Sequence, residues 1–201
     1  MMATTHALWG MLLALPVLVL APEHAPTAVA AGLVGGLVPD FDLYAGHRKT
    51  FHYPVYASTA TVPAVAAALV SPTTTTVALA VGLAAAALHA VTDAAGGGLE
   101  LRPWQGRSER AVYSHYHGHW IRPRRWVRYD GAPEDLALAG VAAVPLIIVA
   151  DGPVTTFAAA MLAVSAVYVL LRKPLATLAA SLAGRAPRPI APYLPERYRE
   201  T

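Results

Sequence analysis

Long apolar stretches recur along this chain and leave few folds open to it. They cover residues 7–21, 27–38, 55–70, 76–91, 136–150 and 154–171. A helix that crosses the hydrocarbon core of a bilayer needs about 20 mostly apolar residues, so the last four stretches are credible spans and the first two are short. Only 13% of the residues are charged, against roughly 25% in an average soluble domain. The sequence therefore predicts an all-α fold, a polytopic membrane helix bundle with about six apolar segments.

All lysines and arginines fall on one side of such a bundle. If the six segments alternate in direction, the loops at 39–54 and 92–135 share a side with both ends of the chain, and together they hold all 15 basic residues. By the positive-inside rule, that side is cytoplasmic. We therefore expect a multi-pass protein of the cell membrane, inner or plasma, with both termini in the cytoplasm.

The loop between the fourth and fifth segments is unusually long. Residues 99–135 are polar, and we interpret them as a cytoplasmic insertion in a single membrane domain that covers 1–175. The end of the chain, 176–201, contains the run GRAPRPIAPYLPERYRET, which is rich in proline and charge. That composition is typical of a flexible tail.

Ionisable residues gather at the cytoplasmic ends of the apolar segments. Such residues are costly at membrane depth, and there they indicate a functional site. His89 and Asp93 are four residues apart in a predicted helix, so their side chains lie on one face and could share a cation. Pro54 favours the first turn of the next helix, which leaves the histidines before it on an irregular loop. The candidate metal ligands are His6, Asp40, His47, His52, His89 and Asp93.

The chemistry of these ligands restricts the metal. The chain has no cysteine, so thiolate ligands are excluded. Imidazole and carboxylate ligands suit zinc first, with manganese or iron as alternatives. A structural role stays open for single members, because an aspartate that follows a proline often caps a turn.

The order of short motifs resembles a known family. The motifs are TH with His6, LVPDFD with Asp40 and Asp42, HRKTFH with His47, Arg48 and His52, and LHAVTDAAGGGLELRPW with His89 and Asp93. Over about residues 5–104 they resemble the YdjM-like family of predicted membrane-bound, metal-dependent hydrolases. That family usually has a threonine before its second histidine and a serine after it, where this chain has Phe51 and Tyr53.

A more distant likeness suggests the chemistry. Zinc-dependent phospholipase C and the P1-type nucleases also present a histidine, an aspartate, a histidine and then His-x-x-x-Asp in chain order, and they hold a zinc cluster. This chain lacks their second such pair after Asp93, so one or two ions are expected. The likeness implies phosphoester hydrolysis, with Arg48 and Asp42 as candidate catalytic residues and a phospholipid or other phosphoester as substrate. Arg48 could equally contact lipid headgroups.

The insertion carries a second group of histidines in the run YSHYHGHW. On an extended chain three alternating histidines would share one face and could bind metal. The tyrosines, tryptophans and arginines around them are equally typical of an aromatic and basic belt at a membrane surface. Membrane lipid is therefore an expected partner, and nucleic acid is not. The three residues are His115, His117 and His119.

Two classes of function stay open. The favoured one is an integral membrane metal-dependent hydrolase that acts on a phosphoester or lipid-like ester at a cytoplasm-facing site. The alternative is a non-catalytic membrane metal-binding or carrier protein. A carrier should hold its ligands near mid-membrane with access from both sides, whereas the sequence predicts that the ligands converge at one end.

Overall fold

Helices make up most of the chain in the computed structural model, which describes residues 1–187, 189 and 191–199. The helices are α1 (Ala3–Leu12), α2 (Leu15–Leu20), α3 (Ala25–Leu37), α4 (Pro54–Val70), α5 (Thr74–Asp93), α6 (Pro133–Val149), α7 (Pro153–Ala183) and α8 (Glu196–Arg199). Short 3-10 turns cover Pro22–His24, Val38–Tyr44, Pro103–Gln105 and Ala191–Tyr193. Two strands, β1 (Val112–Ser114) and β2 (His119–Ile121), form an antiparallel hairpin.

Each predicted apolar segment forms helix. Pro16 divides the first segment into α1 and α2, because proline lacks the amide hydrogen that would continue the helix. Among the described residues, three stretches are long and apolar enough to cross a membrane: Ala3–Leu20, Thr74–Asp93 and Pro153–Ala183. The first segment, predicted to be short, reaches this length because helix already begins at Ala3. Of the four segments predicted as credible spans, α5 and α7 are among the three, whereas α4 and α6 have 17 residues each and are not. These lengths agree with membrane association.

The insertion contains the exception to the all-α prediction. Its β1–β2 hairpin reverses between Ser114 and His119. Gly118 has a φ of 70° and its N–H donates to the carbonyl oxygen of Ser114 over 2.8 Å. Because the chain turns here, His115 and His117 lie in the turn, and the expected extended run with three histidines on one face does not form.

Helix α7 extends beyond the predicted boundary of the membrane domain. It has 31 residues and ends at Ala183, whereas the flexible tail was predicted from residue 176. The later part of that predicted tail contains the turn at Ala191–Tyr193 and α8. Positions 188, 190, 200 and 201 of the predicted tail lie outside the described residues.

Glycines bring the backbones of α1 and α3 into contact. A Cβ atom placed on Gly10 would lie 2.1 Å from the carbonyl oxygen of Gly32, and one on Gly36 would lie 2.5 Å from the carbonyl oxygen of His6. Only glycine fits at such distances, as at other close crossings of membrane helices. The crossing places His6 directly beside the end of α3.

Polar contacts between elements mark both ends of the bundle. At one end, His24 Nδ1 lies 3.0 Å from Thr74 Oγ1, so the end of α2 approaches the start of α5. At the opposite end α1 begins while α3 and α5 finish. The side chains predicted as ligands are carried by that second end.

Candidate metal centre

Four of the predicted ligands form one group. Asp40, His52, His89 and Asp93 each offer a ligand atom, and these atoms all lie within 4.8 Å of one another. His89 and Asp93 come from the last turn of α5, Asp40 from the 3-10 turn after α3, and His52 from the residues just before α4. The sequence spacing of His89 and Asp93 is thus realised as a shared face of one helix.

The carboxylate of Asp93 is the centre of the group. Its Oδ2 atom lies 3.3 Å from His52 Nε2 and 3.5 Å from His89 Nε2. His89 Nε2 is also 3.5 Å from Asp40 Oδ1. The side chains of His52, His89 and Asp93 are almost fully buried, while that of Asp40 keeps 25% of its surface exposed. Solvent therefore reaches the group on the side of Asp40.

Hydrogen bonds at the Nδ1 atoms orient the imidazoles of His52 and His89. His89 Nδ1 donates to the carbonyl oxygen of Gly36 over 2.7 Å, and His52 Nδ1 lies 3.0 Å from Asp42 Oδ2. Both Nε2 atoms are buried and lack a hydrogen-bond partner among the described residues. Metal-bound histidines usually have this arrangement, in which the second nitrogen is held by a carbonyl or carboxylate. The residues present therefore fit a divalent cation.

Asp42 organises the loop that carries His52. Its Oδ1 accepts from the N–H of Arg48 over 3.2 Å, and its Oδ2 accepts from the N–H groups of Lys49 and Phe51 over 3.2 Å and 3.1 Å. Burial opposes ionisation of Asp42, but hydrogen bonds from His47 and His52 lower its pKa below the usual range. The sequence suggested a catalytic role for Asp42, and the structure places it behind His52 in the outer layer of the centre.

His47 is not part of the four-residue group. Its Nδ1 atom lies 3.0 Å from Asp42 Oδ1, and its ring centre is 5.9 Å from that of His52. The two histidines of the loop therefore bind opposite oxygens of one carboxylate. Only His52 reaches Asp93.

His6 contacts the carboxylate oxygen of Asp93 that the other ligands do not approach. Its Nε2 is 3.0 Å from Asp93 Oδ1, and its ring stacks on that of His89 with centres 3.6 Å apart. The amino group of Met1 donates to the same Oδ1 over 2.7 Å. Because Oδ1 is held in this way, Oδ2 of Asp93 faces the other ligands.

Arg48 brings a positive charge to the centre. Its Nε atom is 3.1 Å from Asp93 Oδ2, and its Nη1 donates to the carbonyl oxygen of Gly97 over 2.9 Å. The backbone φ of Arg48 is 59°, in the left-handed region that costs a side-chain-bearing residue about 1–2 kcal/mol. Two contacts hold it there: the N–H donates to Asp42, and the carbonyl oxygen accepts from the N–H of Tyr113 over 2.9 Å. Strained residues of this kind concentrate at functional sites.

The histidines of the hairpin lie apart from this centre and make local hydrogen bonds. His115 Nε2 donates to the carbonyl oxygen of Lys49 over 2.7 Å, which ties the hairpin to the ligand-bearing loop. His117 Nδ1 lies 2.9 Å from Ser114 Oγ, and His119 Nδ1 lies 3.2 Å from the carbonyl oxygen of His117.

Sequence reasoning missed two groups that position the centre. Asp135 is fully buried and accepts from Met2 N–H and Thr5 Oγ1 over 2.7 Å and 2.8 Å, which fixes the start of α1. Arg172 of α7 binds Asp130 of the insertion, with Nε 2.8 Å from Oδ2. Both groups had a sequence signal, since each places a charged residue at the border of an apolar segment.

Comparisons with protein-family models, with curated proteins and with solved structures found no match to this chain. The resemblance to the YdjM-like family therefore stays a prediction from motif order. The group of Asp40, His52, His89 and Asp93 could hold a metal ion, and it is the feature from which a function can be proposed.

Proposed function

We propose that this protein is an integral membrane, metal-dependent hydrolase that cleaves a phosphoester or lipid-like ester at a cytoplasm-facing site. One observation carries the proposal. The buried Nε2 atoms of His52 and His89 face the carboxylates of Asp40 and Asp93 and have no hydrogen-bond partner among the described residues. An imidazole nitrogen left unpaired in a buried position is costly, and a cation between these four groups would satisfy it.

Zinc is the metal that we propose first. Two imidazoles and two carboxylates without sulfur are typical zinc ligands, and a catalytic zinc keeps one position open for water or substrate. The partial exposure of Asp40 supports such access. The group of four ligands supports one ion, the lower of the two numbers that the sequence predicted.

The ion, Arg48 and Asp42 would have different roles in the reaction. A divalent ion in this position would act as a Lewis acid toward a phosphoryl oxygen and favour the ionisation of water. Arg48 lies beside Asp93 and would stabilise the negative charge that grows on a phosphate during cleavage, a task suited to the guanidinium group. Asp42 would act as a positioning residue through His52.

We further propose that the chain crosses the plasma or inner membrane several times with both termini in the cytoplasm. The distribution of all 15 basic residues supports this orientation. Because the chain has no cysteine, single cysteines report the topology directly. Thr75→Cys should react with a membrane-impermeant maleimide in intact cells, whereas Gln105→Cys should react only after the membrane is permeabilised. The reverse pattern would overturn the orientation.

The metal centre is tested by metal analysis of the purified protein and by hydrolysis of a chromogenic phosphoester. His52→Ala should lose most of the zinc, whereas His47→Ala should keep it, since only His52 reaches Asp93. Asp40→Asn removes one ligand charge at a half-open position and should lower turnover at least tenfold while the protein stays folded. Equal zinc loss in both histidine variants would refute the proposed ligand set.

The same experiment separates the two classes of function. A protein that binds zinc through His52 but hydrolyses no phosphoester or carboxylic ester would be the membrane metal-binding or carrier protein that the sequence left open. Hydrolysis that survives in Asp40→Asn at the parent rate would place the catalytic step elsewhere.

A further inference from the structure

A cavity of about 310 Å³ adjoins the metal centre. Residues 1–4, at the start of α1, contribute to its wall, and so do Val164 and Tyr168 from the middle of α7. Asp40 and Arg48 line the same cavity. It therefore connects the metal centre with one of the helices long and apolar enough to cross a membrane.

One end of the cavity is polar and cationic. Arg48 is 8% exposed, and its buried Nε atom forms an ion pair with Asp93 Oδ2 over 3.1 Å but has no acceptor in hydrogen-bond geometry among the described residues. The carboxylate of Asp130, which also lines the cavity, is already paired with Arg172. The carboxylate of Glu100 accepts from two backbone N–H groups of the insertion. Met1, Arg48 and Arg197 all line the cavity, so an anion that enters it meets positive charge. Arg48 is the side-chain cation beside the candidate ligands, because its Nε atom lies 3.1 Å from Asp93 Oδ2.

The apolar part of the wall lies on α7, where the positions of nearby basic and aromatic residues predict the depth of lipid chains. Val164 precedes Arg172 by two helical turns, which is about 12 Å along the helix axis. Lys173 lies 5.7 Å from the ring of Trp104, and such pairs of basic and aromatic residues mark the membrane–water interface. A point about 12 Å below this level is inside a hydrocarbon core about 30 Å thick. Val164 keeps 51% of its surface exposed.

We propose that this cavity binds an amphiphile that enters sideways from the bilayer, with its anionic phosphoester at Arg48 and its acyl chain along Val164. The size agrees, because about 310 Å³ is at the lower end for ligand pockets and holds a headgroup with the first part of a chain while the rest stays in lipid. A water-soluble phosphoester has no acyl chain to pack against the apolar wall. The inference rests on the proposed function, and it adds a substrate class and an entry route.

Val164→Trp tests the route by filling the cavity. Val167→Trp is its control, since Val167 lies on the same helix with a similar exposure of 55% and does not line this cavity. Dioctanoyl phosphatidate is titrated onto each purified protein in detergent, and bound lipid is measured by native mass spectrometry. Val164→Trp should bind at least tenfold more weakly than the parent, while Val167→Trp and the smaller Val164→Ala should bind as the parent does.

Hydrolysis of two substrates then separates this inference from the proposed function. Val164→Trp should lower the rate on phosphatidate in vesicles at least tenfold more than it lowers the rate on soluble bis(4-nitrophenyl) phosphate, whereas Val167→Trp, outside the cavity, should leave both rates unchanged. Equal lipid binding by Val164→Trp and the parent, or no lipid binding by the parent, would overturn the cavity proposal even if soluble esters are cleaved. Lipid binding that Val164→Trp abolishes, in a protein that cleaves neither substrate, would support the cavity and refute the hydrolase.

Discussion

Gly36→Ala should weaken metal binding although Gly36 carries no ligand. Gly36 lies where α3 meets α1, and its carbonyl oxygen accepts the hydrogen bond from His89 Nδ1. A Cβ at this position would lie 2.5 Å from the carbonyl oxygen of His6. One added methyl group therefore pushes α1 from α3 at the residue whose ring stacks on His89.

The size of the effect follows from the distances. A Cβ atom needs at least about 3.2 Å to a carbonyl oxygen, and 2.5 Å is available, so the backbones must separate by roughly 0.7 Å. Overpacking of this kind costs about 1–3 kcal/mol of stability. Changes to the outer partners of metal-bound histidines lower affinity about 10–100-fold, which is about 1.4–2.7 kcal/mol. We expect a loss of zinc affinity in that range.

The assay is a competition titration of the purified protein with a zinc chelator, together with thermal unfolding in the same detergent. Gly82→Ala is the matched control, because Gly82 lies at the crossing of α5 with α3 and the nearest atom to its added Cβ is 3.5 Å away. The control should bind zinc like the parent and unfold at a similar temperature. Unchanged zinc affinity in Gly36→Ala would refute the view that this crossing sets the geometry of the centre.

Three other perturbations have defined outcomes. Asp42→Asn replaces one carboxylate oxygen with an NH2 group, which cannot accept hydrogen bonds from the loop. Zinc affinity measured by the same titration should therefore fall about 10–100-fold. Unchanged affinity would mean that the loop is held by other contacts. Burial lowers the pKa of His52, but its hydrogen bond with Asp42 and the charge of Asp93 raise it above the ordinary value. A proton therefore competes with the metal, and zinc affinity should fall as pH drops from 8 to 6. A zinc affinity that does not change over this pH range would contradict the prediction. Asp130→Asn leaves the buried Arg172 without its charge partner and should cost about 3–5 kcal/mol, seen as a lower unfolding temperature, and an unchanged temperature would show that the pair contributes little.

The helical part of the site could be read from the sequence because it is local. His89 and Asp93 share a face through the period of the helix alone, and Pro54 begins α4 as expected from its fixed φ. The prediction that the ionisable residues gather at one end of the bundle came from the positions of the charges and from the assumption that successive apolar segments alternate in direction. The shared helix face and the start of α4 need only neighbouring residues, and for this reason they agree with the structure. The candidate ligands do gather at one end, while the alternation of six membrane crossings stays a prediction.

The choice between His47 and His52 could not be made from the sequence. Both lie on one irregular loop, and the path of that loop is set by the hydrogen bonds that converge on Asp42. Which histidine faces Asp93 depends on those backbone directions and on the left-handed conformation of Arg48. No period or propensity encodes such a conformation. The hairpin was missed for a similar reason, because its strands are only three residues long.

The outer layer of the centre combines local and distant contacts. Asp42 reaches His52 within one loop, but the carbonyl of Gly36 reaches His89 between two helices. The second contact exists because glycines allow α1, α3 and α5 to approach at backbone distance. A larger residue at Gly36 would separate His6 from α3 and move the carbonyl that orients His89, so helix packing and ligand orientation depend on the same atom. Gly36, in sequence only a small apolar residue of α3, therefore helps to shape the candidate metal centre, and this role depends on which helices meet.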